Sequence, residues 1–443
     1  MVSANVKIIE ELKAFLESVA NEPALRKLFT QSEVDFTRNR KLTLERVIGI
    51  IINMPKRSLS IELQDFFHSI DADLEPSTKG AFSLQRGKLK ANFFAVWNQL
   101  LVSSFYQYYG DNLNRWRGFR ILAVDGSTAY LFNKQEVVEY FGTQVNQHGS
   151  TPMAKVMQIQ DILNDITTWG SIHPIKESEQ AIMARLISQL PQDTITLFDR
   201  GYPSFALMYL MQNEETPRHF IMRCKVGFNK EVVKFMHSRK QSKIIEIAPT
   251  HNAISTLREH CHIITSTSKI SVRAVKVKLK SGETEILLTN LYDEKLFSIE
   301  DLKYLYGIRW GIETCYSKQK NQQQMEVFSG HRVICIQQDY SAGIFVANLQ
   351  SLIEKQSEKY LNELNRRRKY QYKINRNITW ASLKHNIVKL FLSNNPLDIL
   401  LYLQQLFERN TEPIRPGRQY PRIKKKLKTK GKFHTFTNYK RAI

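Results

Sequence analysis

Apolar residues recur at helical spacing over the first hundred or so positions: Leu12, Phe15, Leu16 and Val19, then Leu44, Val47, Ile48 and Ile51. That periodicity predicts amphipathic helices, so residues 1–112 read as a helical domain. Within it, Ser77 or Thr78 can cap a second helix carrying Lys79, Arg86, Lys88 and Lys90. A basic helix behind a first one at 60–70 resembles a helix-turn-helix, which reads either as recognition of a DNA end or as ordinary packing. After residue 112 the pattern changes. Residues 119–127 (FRILAVDGS) and 194–202 (TITLFDRGY) are apolar, β-branched runs, each closed by an aspartate and a glycine. Both predict buried strands. Runs at 153–161 and 166–172 flank Asn164-Asp165, a hairpin signal. Residues 178–190 return to helical spacing, as does a segment with Phe205, Leu207, Met208 and Leu210, ahead of a strand at His219–Cys224. Strands alternating with helices over 113–225 predict an α/β sheet.

Alternating runs at 242–247, 262–267, 270–279 and 284–288, with Gly282 in a turn, predict a β-rich subdomain at 226–296. Residues 297–365 carry a polar-striped helix and its successor, and 379–408 read as helical. Residues 411–443 hold eleven Lys or Arg against the single acid Glu412. Such a stretch predicts a DNA clamp or a solubilising tail.

Over all 443 residues the formal net charge is +22, which points to a polyanionic partner, with nucleic acid as the default. The apolar share of 42% suffices for a large core and two or three domains. Cys224, Cys261, Cys315 and Cys335 have no metal-ligand spacing and read as reduced thiols. With no long apolar stretch and a charged beginning (MVSANVKIIEELKAF), neither export nor a membrane partner is expected, and the expected location is the cytoplasm.

The candidate chemistry lies in YGIRWGIETCYSKQK. Tyr306, Arg309, Glu313 and Lys320 are three, four and seven residues apart, which on one helix places them in a stripe about 60° wide. A phenol, a guanidinium, a carboxylate and an ammonium on one face suit a phosphate backbone with a metal ion held against it. Arg309 and Glu313 alone would be an ordinary i,i+4 surface pair. Asp125 and Asp199, at the carboxyl ends of their strands, each read alone as a turn or cap residue, and together with Glu313 make a three-carboxylate set. Two divalent ions about 3.5–4 Å apart can activate a nucleophile and stabilise a leaving oxygen, and hard ions take carboxylate ligands. Trp310 is either a core aromatic or a stacking surface for an unpaired base. Arg200 either reaches phosphate or pairs with an acid.

Asp125 in AVDGS, Asp199 in FDRGY and the Tyr-x2-Arg-x3-Glu-x6-Lys pattern resemble the DDE transposases of bacterial insertion sequences, specifically insertion-sequence family four. The resemblance covers roughly residues 30–350. It implies an RNase H-like catalytic domain in two parts, 113–225 and 297–365, interrupted by the insertion at 226–296. An N-terminal helical DNA-binding domain would precede it at 1–112, and a helical, basic C-terminal region would follow at 366–443. By the same resemblance Asp125, Asp199 and Glu313 are the catalytic metal ligands for two Mg2+ ions, with Mn2+ able to substitute and no small-molecule cofactor. Tyr306, Arg309 and Lys320 hold phosphates near the scissile bond. On the reading of the residues themselves, Lys79, Arg86, Lys88, Arg200 and Trp310 are further candidate DNA contacts, with the alternatives given above. The implied reaction is cut-and-paste excision and strand transfer through hairpin ends. The implied partners are double-stranded DNA (terminal inverted repeats and target) and a second copy of the chain on that DNA, at the bacterial nucleoid. Two other readings remain: a site-specific nuclease of the same fold without strand transfer, and a basic DNA-binding protein without chemistry.

Overall fold

The computed structural model describes residues 2–415 other than 39, 54, 55, 72, 147, 148, 280, 281 and 394. The basic stretch from 416 onward, where the clamp is expected, lies outside the described residues.

Helices open the chain: α1 (Val2–Asn21), α2 (Pro23–Phe29), α3 (Leu44–Ile52), α4 (Leu59–Ile70), α5 (Lys79–Arg86) and α6 (Asn92–Tyr109). The periodic positions Leu12, Leu16 and Val19 of α1 are buried, as are Leu44, Val47, Ile48 and Ile51 of α3. Thr43 starts α3 by accepting from the Arg46 N–H, and Thr78 starts α5 by accepting from Ala81.

The sheet follows with β1 (Arg120–Tyr130), α7 (Gln135–Phe141), β2 (Thr143–Asn146), β3 (Gly149–Asp161), β4 (Ile166–Pro174), α8 (Glu179–Ala184), β5 (Thr194–Phe198), α9 (Phe205–Asn213) and β6 (His219–Cys224). β1 runs antiparallel to β3, and β3 to β4, around the turn at Asn164-Asp165. β1 is parallel to β5, and β5 to β6. Residues alternate between faces: Leu122 and Val124 pack toward α8 and α9, while Ile121 and Ala123 pack on the opposite side. Both faces are thus apolar, which is why these strands read as continuous hydrophobic runs.

The segment 226–296 differs from its expectation. It contains α10 (Lys230–His237), β7 (Ser242–Ile247), α11 (His251–Glu259), β8 (Ile270–Lys278) and β9 (Thr284–Thr289). Its strands extend the sheet just described: β9 pairs antiparallel with β6, and Ile286, Leu287 and Leu288 are buried on its two faces. The sheet path is β2-β3-β1-β5-β6-β9-β8-β7, with β4 also on β3. The run at 262–267 is not a strand. There the Thr265 N–H donates to Ser268 Oγ at 3.0 Å, a local side-chain bond that closes a turn instead of a ladder.

Next come α12 (Ile299–Ile308), α13 (Gly311–Asn321), α14 (Val333–Lys355), α15 (Glu358–Arg367), β10 (Tyr372–Ile374), α16 (Arg376–Leu392), α17 (Pro396–Arg409) and β11 (Thr411–Pro413). α12 and α13 cover the sheet face opposite α8 and α9. Helices from the two ends of the chain share one core, in which α1, α3 and α6 meet α14, α16 and α17. At its centre Trp97 of α6 stacks on Phe345 of α14, with ring centroids 4.1 Å apart, and donates its indole N–H to the Leu12 carbonyl. Among the described residues no helix is long and apolar enough to cross a membrane.

Candidate active site

Adjacent parallel strands place the first two acids together. Val124 of β1 lies opposite Phe198 of β5, so Asp125 and Asp199, one residue further on, emerge side by side. Both are half-buried. Asp125 Oδ1 accepts from the Gly126 N–H at 3.0 Å, and the Tyr316 hydroxyl donates to the Asp125 carbonyl at 2.8 Å.

The third acid arrives on α13. A capping box between Ser298 and Asp301 sets the start of α12 and brings Tyr306 over the sheet, where its hydroxyl donates to Asp199 Oδ1 at 3.1 Å. The motif does not lie on one continuous helix. Between α12 and α13 the chain tightens into i→i−3 bonds, from Arg309 N–H to the Tyr306 carbonyl and from Ile312 N–H to the Arg309 carbonyl. The break follows from tertiary packing: a Cβ at Gly311 would meet Ile162 Cγ2 at 2.8 Å, so only glycine lets α13 settle so close.

Arg309, at the break, reaches inward. Its Nη2 donates to Glu313 Oε1 at 2.9 Å and lies 3.8 Å from Asp199 Oδ1. Only 3% of Arg309 is exposed, and its Nε and Nη1 are buried with no hydrogen-bond partner. Burial alone would lower its pKa, but Tyr306, Asp199, Glu313 and Asp125 hold it raised and charged. Lys320 Nζ donates to the Thr128 carbonyl at 2.7 Å and lies 3.6 Å from Glu326, tying α13 to β1. The structure therefore brings Asp125, Asp199, Glu313, Tyr306 and Arg309 together, with Lys320 held two turns along.

Four more side chains join them that sequence reading did not single out. Glu179, the first residue of α8, accepts from the Tyr202 hydroxyl at 2.7 Å. Arg223 of β6 stands 3.9 Å from Asp199 and pairs with Glu285 of β9 at 2.5 Å. Only their place in the sheet distinguishes them from other surface charges, although Tyr202 belongs to the DRGY run itself.

The outlying predicted contacts divide. Trp310 is 57% exposed beside Arg309, so it is not a core aromatic. Arg200 and Lys79 are exposed, and Lys88 pairs with Asp35 at 3.5 Å. Arg86 is a correction. Its guanidinium is buried against α14, where Asp339 and the Cys335 carbonyl accept from Nη2 at 2.8 and 2.9 Å, Gln338 from Nε at 2.6 Å, and Ser329 from Nη1. Fully engaged in the interior, it cannot meet a DNA backbone.

The charge balance bears on a metal. As the side chains are placed, no three carboxylate, imidazole or thiol groups among the described residues stand close enough to hold one ion, and Arg309 lies between Asp199 and Glu313. The donors nevertheless suit a hard divalent ion. Burial pushes the Asp125 carboxyl up to about 7; Arg309 and the Gly126 N–H oppose this, and Glu179 and Asp199 push further upward. Negative charge in excess of what Arg309 neutralises is what a hard cation relieves. Stability should report the same excess. Asp125 has a folded pKa of about 7 against an ordinary value of 3.8, so between those values the unfolded chain binds fewer protons and stability falls as pH rises. Without divalent ions, Asp125→Asn should exceed wild type by roughly 2 kcal/mol at pH 8, allowing for water in the cleft, and the gap should close toward pH 4. Urea unfolding at both pH values checks this; wild type the more stable at pH 8 would contradict it.

The transposase DDE domain family matches residues 116–339. The transposase InsG of insertion sequence element IS4 from Escherichia coli (strain K12) is 24% identical over 295 residues, 65% of this chain and 64% of that protein. The putative transposase InsZ of the same organism is 22% identical over 122 residues, 27% of this chain and 41% of that protein. The chain thus spans less than two thirds of the length of these relatives. A piggyBac transposase, solved in a synaptic complex with hairpin DNA, aligns over 94% of this chain and 87% of its own at 10% identity and a TM-score of 0.40. The family match takes in β1, which carries Asp125 in mid-strand and runs on to Tyr130, β5, which Asp199 follows, and the helix that carries Glu313, just over half of the chain, which therefore belongs to the DDE transposase family, among the transposases of the IS4 type.

Proposed function

We propose that this chain is a DNA transposase that binds the ends of its insertion sequence, excises it by metal-dependent phosphoryl transfer and joins its 3′ ends to target DNA, passing through hairpin ends. The observation that carries the reading is the meeting of Asp125 and Asp199, each one residue past the last β1–β5 pair, with Glu313 from α13 across the Arg309 guanidinium. The order β4-β3-β1-β5-β6, antiparallel and then parallel, supports an RNase H-like core at 113–225 and 297–365.

Asp125, Asp199 and Glu313 would hold two Mg2+ ions, or Mn2+ in their place, which supply an activated oxygen nucleophile and a stabilised leaving oxygen. The chain's own residues do the positioning. The two unpartnered N–H groups of Arg309 are donors available to phosphate oxygens, and a planar guanidinium can hold phosphate with two parallel bonds. Tyr306 fixes Asp199 through its hydroxyl. Lys320 fixes the start of the cleft through Thr128 and adds positive charge for the backbone. Exposed Trp310 offers a face to an unpaired base, as a sharply bent hairpin end requires. Lys79, Lys88 and Arg200, with the basic residues beyond 415, give the duplex its path, the N-terminal helices supplying end recognition. Two ends must be joined, so the working form is a homodimer on DNA, in the bacterial cytoplasm at the nucleoid.

The test is incubation with Mg2+, a duplex bearing the element's terminal repeat and a supercoiled target, with products resolved on denaturing gels. Hairpin ends and joined products are expected for the terminal repeat and not for a scrambled duplex. Nicking without joining would favour the nuclease reading, and binding without cleavage the non-catalytic one.

A further inference from the structure

A fourth acid faces the cleft. Glu179 begins α8, between the hairpin of β3 and β4 and the strand that leads to Asp199. Its carboxylate lies against the backbone of β1 immediately after Asp125: a Cβ built on Gly126 would meet Glu179 Cδ and Oε1 at 2.4 Å and Oε2 at 2.6 Å. The glycine of the AVDGS run therefore serves this contact and not only a turn, since Gly126 sits within β1 and has no positive φ. The orientation of Glu179 is fixed from the other side. Tyr202, 2% exposed, donates its hydroxyl to Oε2, and the neighbouring Gln180 donates to the Gly201 carbonyl at 2.9 Å. So α8 is pinned to the loop that follows Asp199. Among the described residues no Lys, Arg or His stands within ion-pair distance of Glu179, whereas Glu177 pairs with Arg185 and Glu313 with Arg309. Holding an unpaired carboxylate beside two other acids is costly unless a cation joins them. The buried, unpartnered Nε and Nη1 of Arg309 independently call for an acceptor in the same cleft, such as a phosphate oxygen that a metal ion would also bind.

We propose that Glu179 is a fourth metal-holding carboxylate of this site, oriented by Tyr202 and admitted by the missing side chain at Gly126. It rests on the reading of Asp125, Asp199 and Glu313 as metal ligands. Glu179 acts beside Asp125 and is not itself paired with Arg309, and so gives one ion a ligand outside the Arg309–Glu313 pair.

The measurement is Mn2+ affinity of the DNA-free protein, by calorimetry and by the electron paramagnetic resonance of unbound Mn2+. Glu179→Gln keeps the volume and removes the charge, and should weaken binding about 10- to 100-fold. Gly126→Ala leaves Glu179 intact but pushes its flexible end aside, and should give a loss of the same size. Tyr202→Phe removes only the orienting hydroxyl and should cost less than either. Circular dichroism and thermal unfolding establish that each variant is folded. Should Glu179→Gln and Gly126→Ala bind Mn2+ as wild type does while Asp125→Asn does not, the proposal is overturned and the three-acid reading stands. If Asp125→Asn also binds like wild type, the metal reading of the whole cleft fails with it.

Discussion

Asp125→Asn, Asp199→Asn and Glu313→Gln should each abolish strand cleavage, by at least about 1000-fold or ~4 kcal/mol of transition-state stabilisation, and leave duplex binding nearly unchanged. Each exchange keeps the side-chain volume and removes one charge that a bound metal ion would need. None of the three carboxylates can itself attract DNA, because phosphate repels them; the affinity comes from the +22 net charge spread over the chain. Glu313→Gln has a second effect. It removes the 2.9 Å partner of Arg309 and leaves that guanidinium with Asp199, 3.8 Å away, as its nearest acid. Its cleavage defect should therefore resist high Mn2+ more than that of Asp199→Asn. Nicking of an end duplex and gel shifts on the same preparations read both quantities. Wild-type cleavage by any one variant, or loss of DNA binding in step with cleavage, would contradict the assignment.

Arg86→Ala should be among the most destabilising single changes in the chain, at about 3–5 kcal/mol. The guanidinium is 2% exposed and satisfies Asp339, Gln338, Ser329 and the Cys335 carbonyl together. Burial alone would raise the Asp339 carboxyl, but Arg86, Lys56 and Ser329 hold it below the usual range, so removing Arg86 strands a buried negative charge. Replacing Arg86 and Asp339 together by Met and Leu should recover much of the loss, since two apolar groups need no partners. Urea unfolding of the two variants decides it; a loss under about 1 kcal/mol for Arg86→Ala would show that water reaches Asp339.

Local signals were legible in the sequence wherever local physics decided the outcome. The runs at 119–127 and 194–202 hold β1 and β5 because apolar residues bury both faces, and Asp125 and Asp199 each follow the last β1–β5 pair, although β1 itself runs on to Tyr130 along β3. Thr78 caps α5, and Asn164-Asp165 turns between β3 and β4, because both act within four residues. What escaped notice depends on partners far away in the chain. Arg86 looked like a DNA-facing cation, since Asp339 lies 253 residues further on. The break at Arg309 rests on Gly311 meeting Ile162, and Glu179 on Gly126 and Tyr202. The extension of the sheet through β9 rests on β6, more than sixty residues earlier. Periodicity reports which face is buried and says nothing of what covers it.

The shared core of α1, α3 and α6 with α14, α16 and α17 has a consequence for how the protein is made. A ribosome delivers the first three of these helices long before the last three. Until α17 emerges, Leu12, Ile48 and Trp97 have no lasting cover, and the nascent chain carries an open apolar surface through most of its synthesis. The sheet strands emerge in between and can pair with one another meanwhile, so Asp125 and Asp199 meet before the helical body is closed. Messages cut short before α16 and α17 therefore yield chains with paired strands and an unfinished, apolar helical half, open to proteases.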